Sequence, residues 1–250
     1  MATSLPHDNI IPFQESAQSK KEQVELMFDD IAGKYDTLNR VLSARTDIGW
    51  RKKAIGMLKK AKPASILDVA TGTGDMAIMA CKILNPKKIT GIDISTGMLK
   101  VGFKKIEKEG LTQKINLLQG DSSAIKFGNN SFDAVMVAFG VRNFENLESG
   151  LLEMCRVLKP GGQLIILEFS KPKLKAVRSF YNLYMRIVAP KVVGWFRQNK
   201  DAYRYLTASA NAFPERQDFI KILQSTGYAD ARFKPLSLGI CCIYSGKKPG

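Results

Sequence analysis

Ile66-Leu67-Asp68-Val69-Ala70-Thr71-Gly72-Thr73-Gly74-Asp75 reads as a buried strand that ends in a glycine turn and opens into a helix from Met76 to Leu84. Glycines at 72 and 74 let the chain turn tightly and let a ligand come close where a Cβ would collide. Ala77 completes a G-x-G-x-x-A pattern, so a nicotinamide-binding Rossmann unit competes for this stretch. The acids decide against it. A pyrophosphate needs a helix N-terminus free of negative charge, whereas Asp68 and Asp75 bracket this turn with carboxylates. Such a turn suits a nucleotide-derived cation, and S-adenosylmethionine, with its sulfonium and ammonium groups, is the commonest.

Two further strands end in acids. Lys88-Ile89-Thr90-Gly91-Ile92-Asp93 presents Asp93 where a carboxylate accepts hydrogen bonds from both ribose hydroxyls. Leu117-Leu118-Gln119-Gly120-Asp121-Ser122 presents Asp121 within reach of an adenine amino group. Any one of these acids alone reads as a strand-end turn or a helix cap. Together, at successive strand ends, they predict an S-adenosylmethionine site made by Asp68, Gly72, Thr73, Gly74, Asp93, Asp121 and Ser122.

The chain has 250 residues, enough to bury an α/β core as one unit. Hydrophobic residues make up 45% and charged residues 24%, the proportions of a soluble globular protein. No apolar run approaches the ~20 residues of a membrane span, and Met1 to Gln23 lacks a signal-peptide core, which predicts a cytoplasmic protein. Cys81, Cys155, Cys241 and Cys242 have neither zinc nor redox spacing, and three of them sit in apolar surroundings as small hydrophobes. His7 is the single histidine and falls in an N-terminal stretch that reads as disordered. Histidine triads and multi-histidine metal sites are excluded, so no metal is expected.

A net charge of +15 calls for an anionic partner, either nucleic acid or a membrane surface. Much of it is concentrated. Between positions 171 and 204 stand nine basic residues, Lys191, Arg197 and Lys200 among them, against Asp201 alone. Aromatics such as Phe180, Tyr184, Trp195 and Tyr205 are interleaved with them. Such a mixture stacks nucleic-acid bases or lies on a bilayer interface; the bland reading is a lid whose charged side faces water.

The coarse map starts with a polar tail over 1–17 and helices over 18–32 and 48–60. From Ser65 to Glu168 strands and helices alternate, which predicts a parallel sheet. Strand four runs from Phe132 to Phe139, and a helix follows from Asn146 to Val157. Pro160-Gly161-Gly162 forms a turn into strand five, Gln163 to Phe169. A helical insertion extends to about Ala212, helix Glu215 to Ser225 follows, and two last strands lie near Ala231–Leu236 and Gly239–Ser245. The expected fold is a Rossmann-like α/β domain over 18–250, with a mixed, mostly parallel seven-stranded sheet between helices and a helical lid at 171–212.

These residues carry a family resemblance. The acid-rich glycine turn, Asp93, and Leu158-Lys159-Pro160-Gly161-Gly162 resemble the class I S-adenosylmethionine-dependent methyltransferases. Within them the chain resembles the UbiE family, C-methyltransferases of menaquinone and ubiquinone biosynthesis. One signature is Tyr35-Asp36-Thr37-Leu38-Asn39, Leu42-Ser43 and Trp50-Arg51, against Tyr-Asp-x-Met-Asn, Leu-Ser, His and Trp-Arg. Leu38 replaces Met, and Asp47 stands where many members have His. The other, Arg156-Val157-Leu158-Lys159-Pro160-Gly161-Gly162 through Leu167-Glu168-Phe169-Ser170, matches throughout. Phe139-Gly140-Val141-Arg142-Asn143 and Tyr205-Leu206, Ser209, Phe213-Pro214 are further family elements, while Ala138 departs from the Ser of some members.

The resemblance implies cofactor contacts at Thr73, Asp93, Asp121 and Ser122, and a polyprenyl quinol met at the inner face of the cytoplasmic membrane; it leaves a homodimer open. Because a sulfonium methyl is already electrophilic, the protein's main task is alignment. A ring carbon becomes nucleophilic when its hydroxyl loses a proton. Arg142 is the candidate to stabilise the oxyanion or orient a water, with Asn143, Tyr35 and Asp36 orienting the ring. The bland alternatives are a surface ion pair from Arg142 to Glu145 or Glu148, and helix packing for Tyr35. The motifs leave the ring open between menaquinol and ubiquinol precursors; Gly239-Ile240-Cys241-Cys242 resembles menaquinone-only members and favours demethylmenaquinol. A nucleic-acid methyltransferase fits the charge, but the turn after strand four lacks an Asn/Asp-Pro-Pro-Tyr pattern and holds no Cys nucleophile, so no nucleic-acid partner is expected. A nicotinamide oxidoreductase fits the glycines but not Asp68.

Overall fold

Hydrophobic alternation builds the sheet. In β1 (Ser65–Val69), Ile66 packs on one face with Ile55, Met76 and Ile89. Leu67 and Val69 pack on the other with Val135, Val137, Leu147 and Leu151. The computed structural model describes residues 6–14, 16–179, 183–184, 186–187 and 200–250.

Helices α1 (Lys20–Ile31), α2 (Tyr35–Leu42) and α3 (Thr46–Gly56) precede β1. Then α4 (Asp75–Leu84), β2 (Lys88–Asp93), α5 (Thr96–Lys108), β3 (Ile115–Gln119), β4 (Phe132–Ala138), α6 (Leu147–Val157) and β5 (Leu158–Phe169) follow. The chain closes with α7 (Lys200–Ala212), α8 (Gln217–Ser225), β6 (Ala229–Leu236) and β7 (Cys241–Lys247). One seven-stranded sheet runs in the order β3-β2-β1-β4-β5-β7-β6. The first five strands are parallel; β7 lies antiparallel between β5 and β6. The strand order reverses between β1 and β4, and ligands of open α/β sheets bind at such a switch point, beyond the strand carboxyl ends.

Helix α6 shows why its stripe holds it down. Leu147, Leu151 and Met154 recur at helical spacing and are fully buried, each contributing about 1.5–3 kcal/mol. The Asn146 side chain accepts from Ser149 N at 2.8 Å and caps the helix start. A third cluster binds α1 to the sheet layer: Val24, Met27, Phe28 and Ile31 pack against Met98 of α5 and Tyr205 of α7.

Three local expectations are corrected. The stretch after residue 31 folds into α2, whose short apolar stripe, Tyr35, Leu38, Val41 and Leu42, buries one residue, Leu38; Arg40 pairs with Asp75 at the start of α4 and Asp36 with Lys105 of α5, and these pairs hold the helix in place. Pro160-Gly161-Gly162 does not precede β5 but lies inside it. Gly161, at φ 74°, donates its N–H to Lys248 O at 2.9 Å, and the register against β4 shifts between Phe132 and Ala134. The strand absorbs the turn as an irregularity.

The third concerns His7. Its stretch is ordered: Pro6–Asn9 forms a 3-10 turn, and the His7 ring is fully buried, edge-on to Phe213 at 5.5 Å. Lys20 Nζ donates to the His7 carbonyl at 2.8 Å. Burial pushes the His7 imidazole down from 6.5 to about 4, against the opposing pull of Asp8. The folded state therefore prefers neutral His7. Its contribution is complete above the unfolded pKa and is lost as the pH falls from 6.5 toward 4. Thermal melts should show a loss of up to ~2 kcal/mol between pH 7 and pH 5 that disappears in His7→Phe; the same loss in the variant would assign it to other groups.

Candidate active site

At the switch point β1 and β4 both leave the sheet in a left-handed conformation: Ala70 has φ 52° and Phe139 has φ 60°. Gly140 then passes so close to Ala70 that an added Cβ would lie 2.5 Å from the Ala70 Cβ. Two cavities open beside this crossing, and Phe139 lines both.

The first cavity lies over β1, β2 and β3. Gly72, Asp93, Asp121, Ser122, Tyr35 and Asn143 line it. Gly72 has φ 56°, and the space its Cβ would enter is open to 4 Å. Asp93 is held by main chain: Oδ2 accepts from Gly72 N at 2.7 Å and Oδ1 from Ser95 N at 2.9 Å. Burial still pushes its carboxyl up to about 6. For Asp121 burial is outweighed by hydrogen bonds from Ser123 and Lys21, which hold the carboxyl below its ordinary range. Lys21 reaches Asp121 at 3.0 Å from α1, which roofs the cavity with Val24 and Phe28. Asp93, Asp121 and Glu145 against Lys21 leave the lining net negative.

The other predicted contacts take different places. Asp68 is buried inside β1, accepts from Thr71 Oγ1 at 2.6 Å and lines neither cavity. It braces the glycine turn from beneath, and burial pushes its carboxyl up to about 7. Thr73 and Gly74 also lie outside both linings. Thr73 Oγ1 donates to Asp36 Oδ1 at 2.6 Å, and Lys105 Nζ reaches Asp36 at 2.7 Å. Asp36 is thereby engaged with the glycine turn and α5, away from both linings. Asp75 is paired with Arg40 and Lys105, so its charge is met by the protein itself.

The second cavity, about 440 Å³, lies beyond β4 and β5. Phe139 and Phe169 stack at 4.6 Å, and Arg51 sits 5.1 Å above the Phe139 ring. Asn39, Ser43 and Asp47 come from the α2–α3 side, Lys171, Pro172 and Arg178 from the segment after β5, and Leu206 and Ala210 from α7. Asp47 is buried and pairs with both Arg40 and Arg51.

Arg142 also lines this second cavity and is 3% exposed, which removes the surface-pair reading. Its partner is Glu168 at the end of β5, not Glu145 or Glu148: Nη1 donates to Glu168 Oε1 at 2.7 Å and to the Phe139 carbonyl at 2.8 Å. Burial works against the Arg142 charge, but Glu168, Tyr35 and Tyr205 outweigh it and raise its pKa. Tyr35 both packs, edge-on to Phe28 at 5.7 Å, and lines the first cavity. Lys21, Glu168 and Tyr205 were not singled out for the site from sequence. Glu168 stands in a matched signature, which was its only signal.

Cys81, Cys241 and Cys242 are buried, and all four cysteines are free. Among the described residues no group of His, Cys, Asp and Glu is arranged for a metal, and no helix is long and apolar enough to cross a membrane.

A seven-stranded sheet in the order β3-β2-β1-β4-β5-β7-β6, with acids at or just beyond the ends of β2 and β3 and a glycine turn after β1, is a methyltransferase fold. A solved S-adenosylmethionine-dependent methyltransferase of Thermotoga maritima superposes with TM-score 0.61 at 16% identity, covering 90% of this chain and 99% of that one. Residues 16–248 match the model of the ubiE/COQ5 methyltransferase family, and the chain belongs to that family. It is 44% identical to a demethylmenaquinone methyltransferase of Bacteroides fragilis over 98% of this chain and 100% of that protein. It is 40% identical to the ubiquinone/menaquinone biosynthesis C-methyltransferase UbiE of Geotalea daltonii over 92% of this chain and 97% of that protein.

The crossing at Gly140 is the least forgiving point of the site, because the atom a Cβ would strike is itself fixed to backbone. Gly140→Ala should cost about 1–3 kcal/mol in denaturant unfolding. Unchanged stability would show that β1 and β4 can part there freely.

Proposed function

We propose that the chain methylates the ring carbon of a polyprenyl quinol, converting demethylmenaquinol to menaquinol with S-adenosylmethionine as methyl donor. The observation that carries this reading is the meeting of the two cavities at Phe139: an acid-lined nucleoside cavity on one side, an aromatic cavity floored by Arg142 on the other. Family membership and the names of the relatives support it.

The first cavity fits S-adenosylmethionine. Asp93 and Asp121 offer acceptors for ribose and adenine, the net negative lining favours a cation, and open space over Gly72 admits a ligand against the main chain. Ser122 adds a hydroxyl at the adenine end. When bound there, the cofactor supplies an electrophilic methyl group. The residues of the second cavity then hold and activate the ring. Phe169 and Phe139 offer aromatic faces, and Arg142 stabilises the oxyanion that makes the neighbouring carbon nucleophilic. Asn143 and Tyr35 line the nucleoside side of the same crossing and orient the two partners.

The prenyl tail is insoluble, so the ring must enter from a bilayer. Leu174, Leu183 and Ile187 are each more than half exposed on the segment that follows the cavity wall. In this reading they form the tail-facing or lipid-facing surface of a lid over the active site, much of whose sequence, 188–199 included, lies outside the described residues. Lys191 and Arg197 lie outside the described residues; with their basic neighbours they supply the charge that holds the lid on anionic lipid, about 1 kcal/mol for each residue near the surface.

Product mass spectrometry with both quinol precursors tests the reading: a methylated naphthoquinol is expected, methylation of the benzoquinol alone would move the activity to the ubiquinone branch, and neither would sink it. Asp93→Ala should weaken cofactor binding in calorimetry by at least ~1.5–3 kcal/mol. In the wild type that affinity should fall as the pH drops through about 6, where Asp93 gains its proton and loses its acceptors. Arg142→Ala should lower turnover while cofactor affinity stays within a few-fold; equal loss of both would place it in cofactor binding. In flotation, binding should rise with anionic lipid, fall with salt and weaken when Lys191, Arg197 and Lys200 become Glu. Equal flotation on neutral vesicles would make the lid a purely protein-facing cover.

A further inference from the structure

Four buried polar atoms around the Arg142 floor have no hydrogen-bond partner among the described residues: Arg142 Nε, Glu168 Oε2, Tyr205 Oη and Asn143 Oδ1. Buried polar groups are almost always paired, so an unpaired cluster calls for a reason. These atoms come from three separate elements. Glu168 is the next-to-last residue of β5 and has no exposure, Tyr205 lies on α7 at 2% exposure, and Arg142 and Asn143 belong to the turn after β4. Both turn residues are anchored on the same carbonyl, Phe139 O, at 2.8 and 3.4 Å. Asn143 faces the nucleoside cavity and Arg142 the aromatic one.

The donors and acceptors complement one another. Arg142 Nε donates, Glu168 Oε2 and Asn143 Oδ1 accept, and Tyr205 Oη does either. That is the partner set of one bridging water or hydroxyl. The other Glu168 oxygen is committed: Oε1 accepts from Arg142 Nη1 at 2.7 Å and from Phe169 N at 2.9 Å. Oε2 is the free basic site.

We propose that Glu168 is the proton acceptor for the quinol hydroxyl, reached across one water held by Arg142, Asn143 and Tyr205. The proposal rests on the quinol reading above. In the step, the quinol O–H bond breaks and its electron pair stays on oxygen as the oxyanion beside Arg142. The proton passes to the bridging water as that water gives one of its own to Glu168 Oε2. As the bond from ring carbon to methyl forms, the donor's sulfur–methyl bond breaks and sulfur keeps that electron pair; the C–H proton then leaves to solvent and the Glu168 proton returns to the ring oxygen. One proton is released overall, and Glu168 ends as it began.

The surroundings suit a carboxylate that takes and returns a proton. Burial raises the Glu168 carboxyl, and Arg142 opposes that rise. Tyr205 acts on it from α7, and in β7 Cys242 stands opposite it with Cys241 next along the strand; burial holds Tyr205 and Cys241 in their neutral forms. Among the described residues Arg142 is the one charged group paired with it. Moving the proton onto Glu168 exchanges an Arg142–carboxylate pair for an Arg142–quinolate pair, so the buried charge stays balanced throughout.

The test is the pH dependence of kcat on a short-chain demethylmenaquinol for wild type, Glu168→Gln and Tyr205→Phe, with cofactor binding followed separately by calorimetry. Glu168→Gln should lower kcat roughly 100-fold, erase the acidic limb of the profile and leave cofactor affinity within about threefold. Infrared difference spectra of the wild type on acidification should show a carboxylic-acid band that Glu168→Gln removes. Tyr205→Phe keeps the Glu168–Arg142 pair and serves if the glutamine variant does not fold; it should lower kcat about tenfold and displace the acidic limb. If kcat falls while the limb stays in place, Glu168 merely positions Arg142 and the proposal fails. It fails equally if both variants keep wild-type turnover. A wild type that methylates no quinol would overturn the function reading instead.

Discussion

Everything in the site follows from the place where β1 and β4 part. The two strands run parallel and hydrogen-bonded up to Val69 and Val137, then turn in the left-handed region at Ala70 and Phe139. Gly140 is pressed against Ala70 at that parting. A bulky residue such as Phe139 does not adopt positive φ without compensation. Here its N–H donates to Leu167 O at 2.7 Å, and its carbonyl takes the Arg142 guanidinium. The strain is thus tied off by a neighbouring strand and a buried cation, and the ring is left between the two cavities.

Around that crossing the protein spends its charges in pairs. Arg40 bridges Asp47, in the aromatic cavity, to Asp75, at the start of α4. Lys105 joins Asp75 to Asp36. The chain +15 of net charge is therefore not what the site presents. Its buried acids and bases cancel locally, and the excess lies elsewhere on the surface and in the segment after β5. Carboxylates without an ion pair among the described residues include Asp93 in the nucleoside cavity and Asp68 beneath the glycine turn.

The sheet was legible in sequence because its signals are local. Period-two apolar runs, glycine turns and the α6 stripe each speak within ten residues or so. Gly72, Asp93, Asp121 and Ser122 were legible for the same reason, since each sits at the end of a readable strand. What escaped came from partners distant in the chain. Nothing near Tyr35 announces that α2 is held by ion pairs to the glycine turn. Of the acids that bracket that turn, Asp68, expected as a cofactor contact, braces it from within β1, and Asp75 answers Arg40 and Lys105. His7 looked loose because its stretch is polar, yet its ring finds Phe213 two hundred positions away. Arg142 lies beyond β4 as the strand pattern implies, and the bland alternative of a pair with Glu145 or Glu148 gives way to Glu168, a partner near in the sheet and not in the sequence.

Helix α1 bears on occupancy as well as on shape. It is pinned to the start of α5 by Asp29, which accepts from Ser95 Oγ at 2.6 Å and from Gly97 N at 2.8 Å, and to the loop after β3 by the Lys21–Asp121 pair. The carboxylate that an adenine would use is thus already engaged by the roof above it. A ligand that takes this carboxylate competes with Lys21 for it, so occupancy of the cavity and the seating of α1 are coupled through one ion pair.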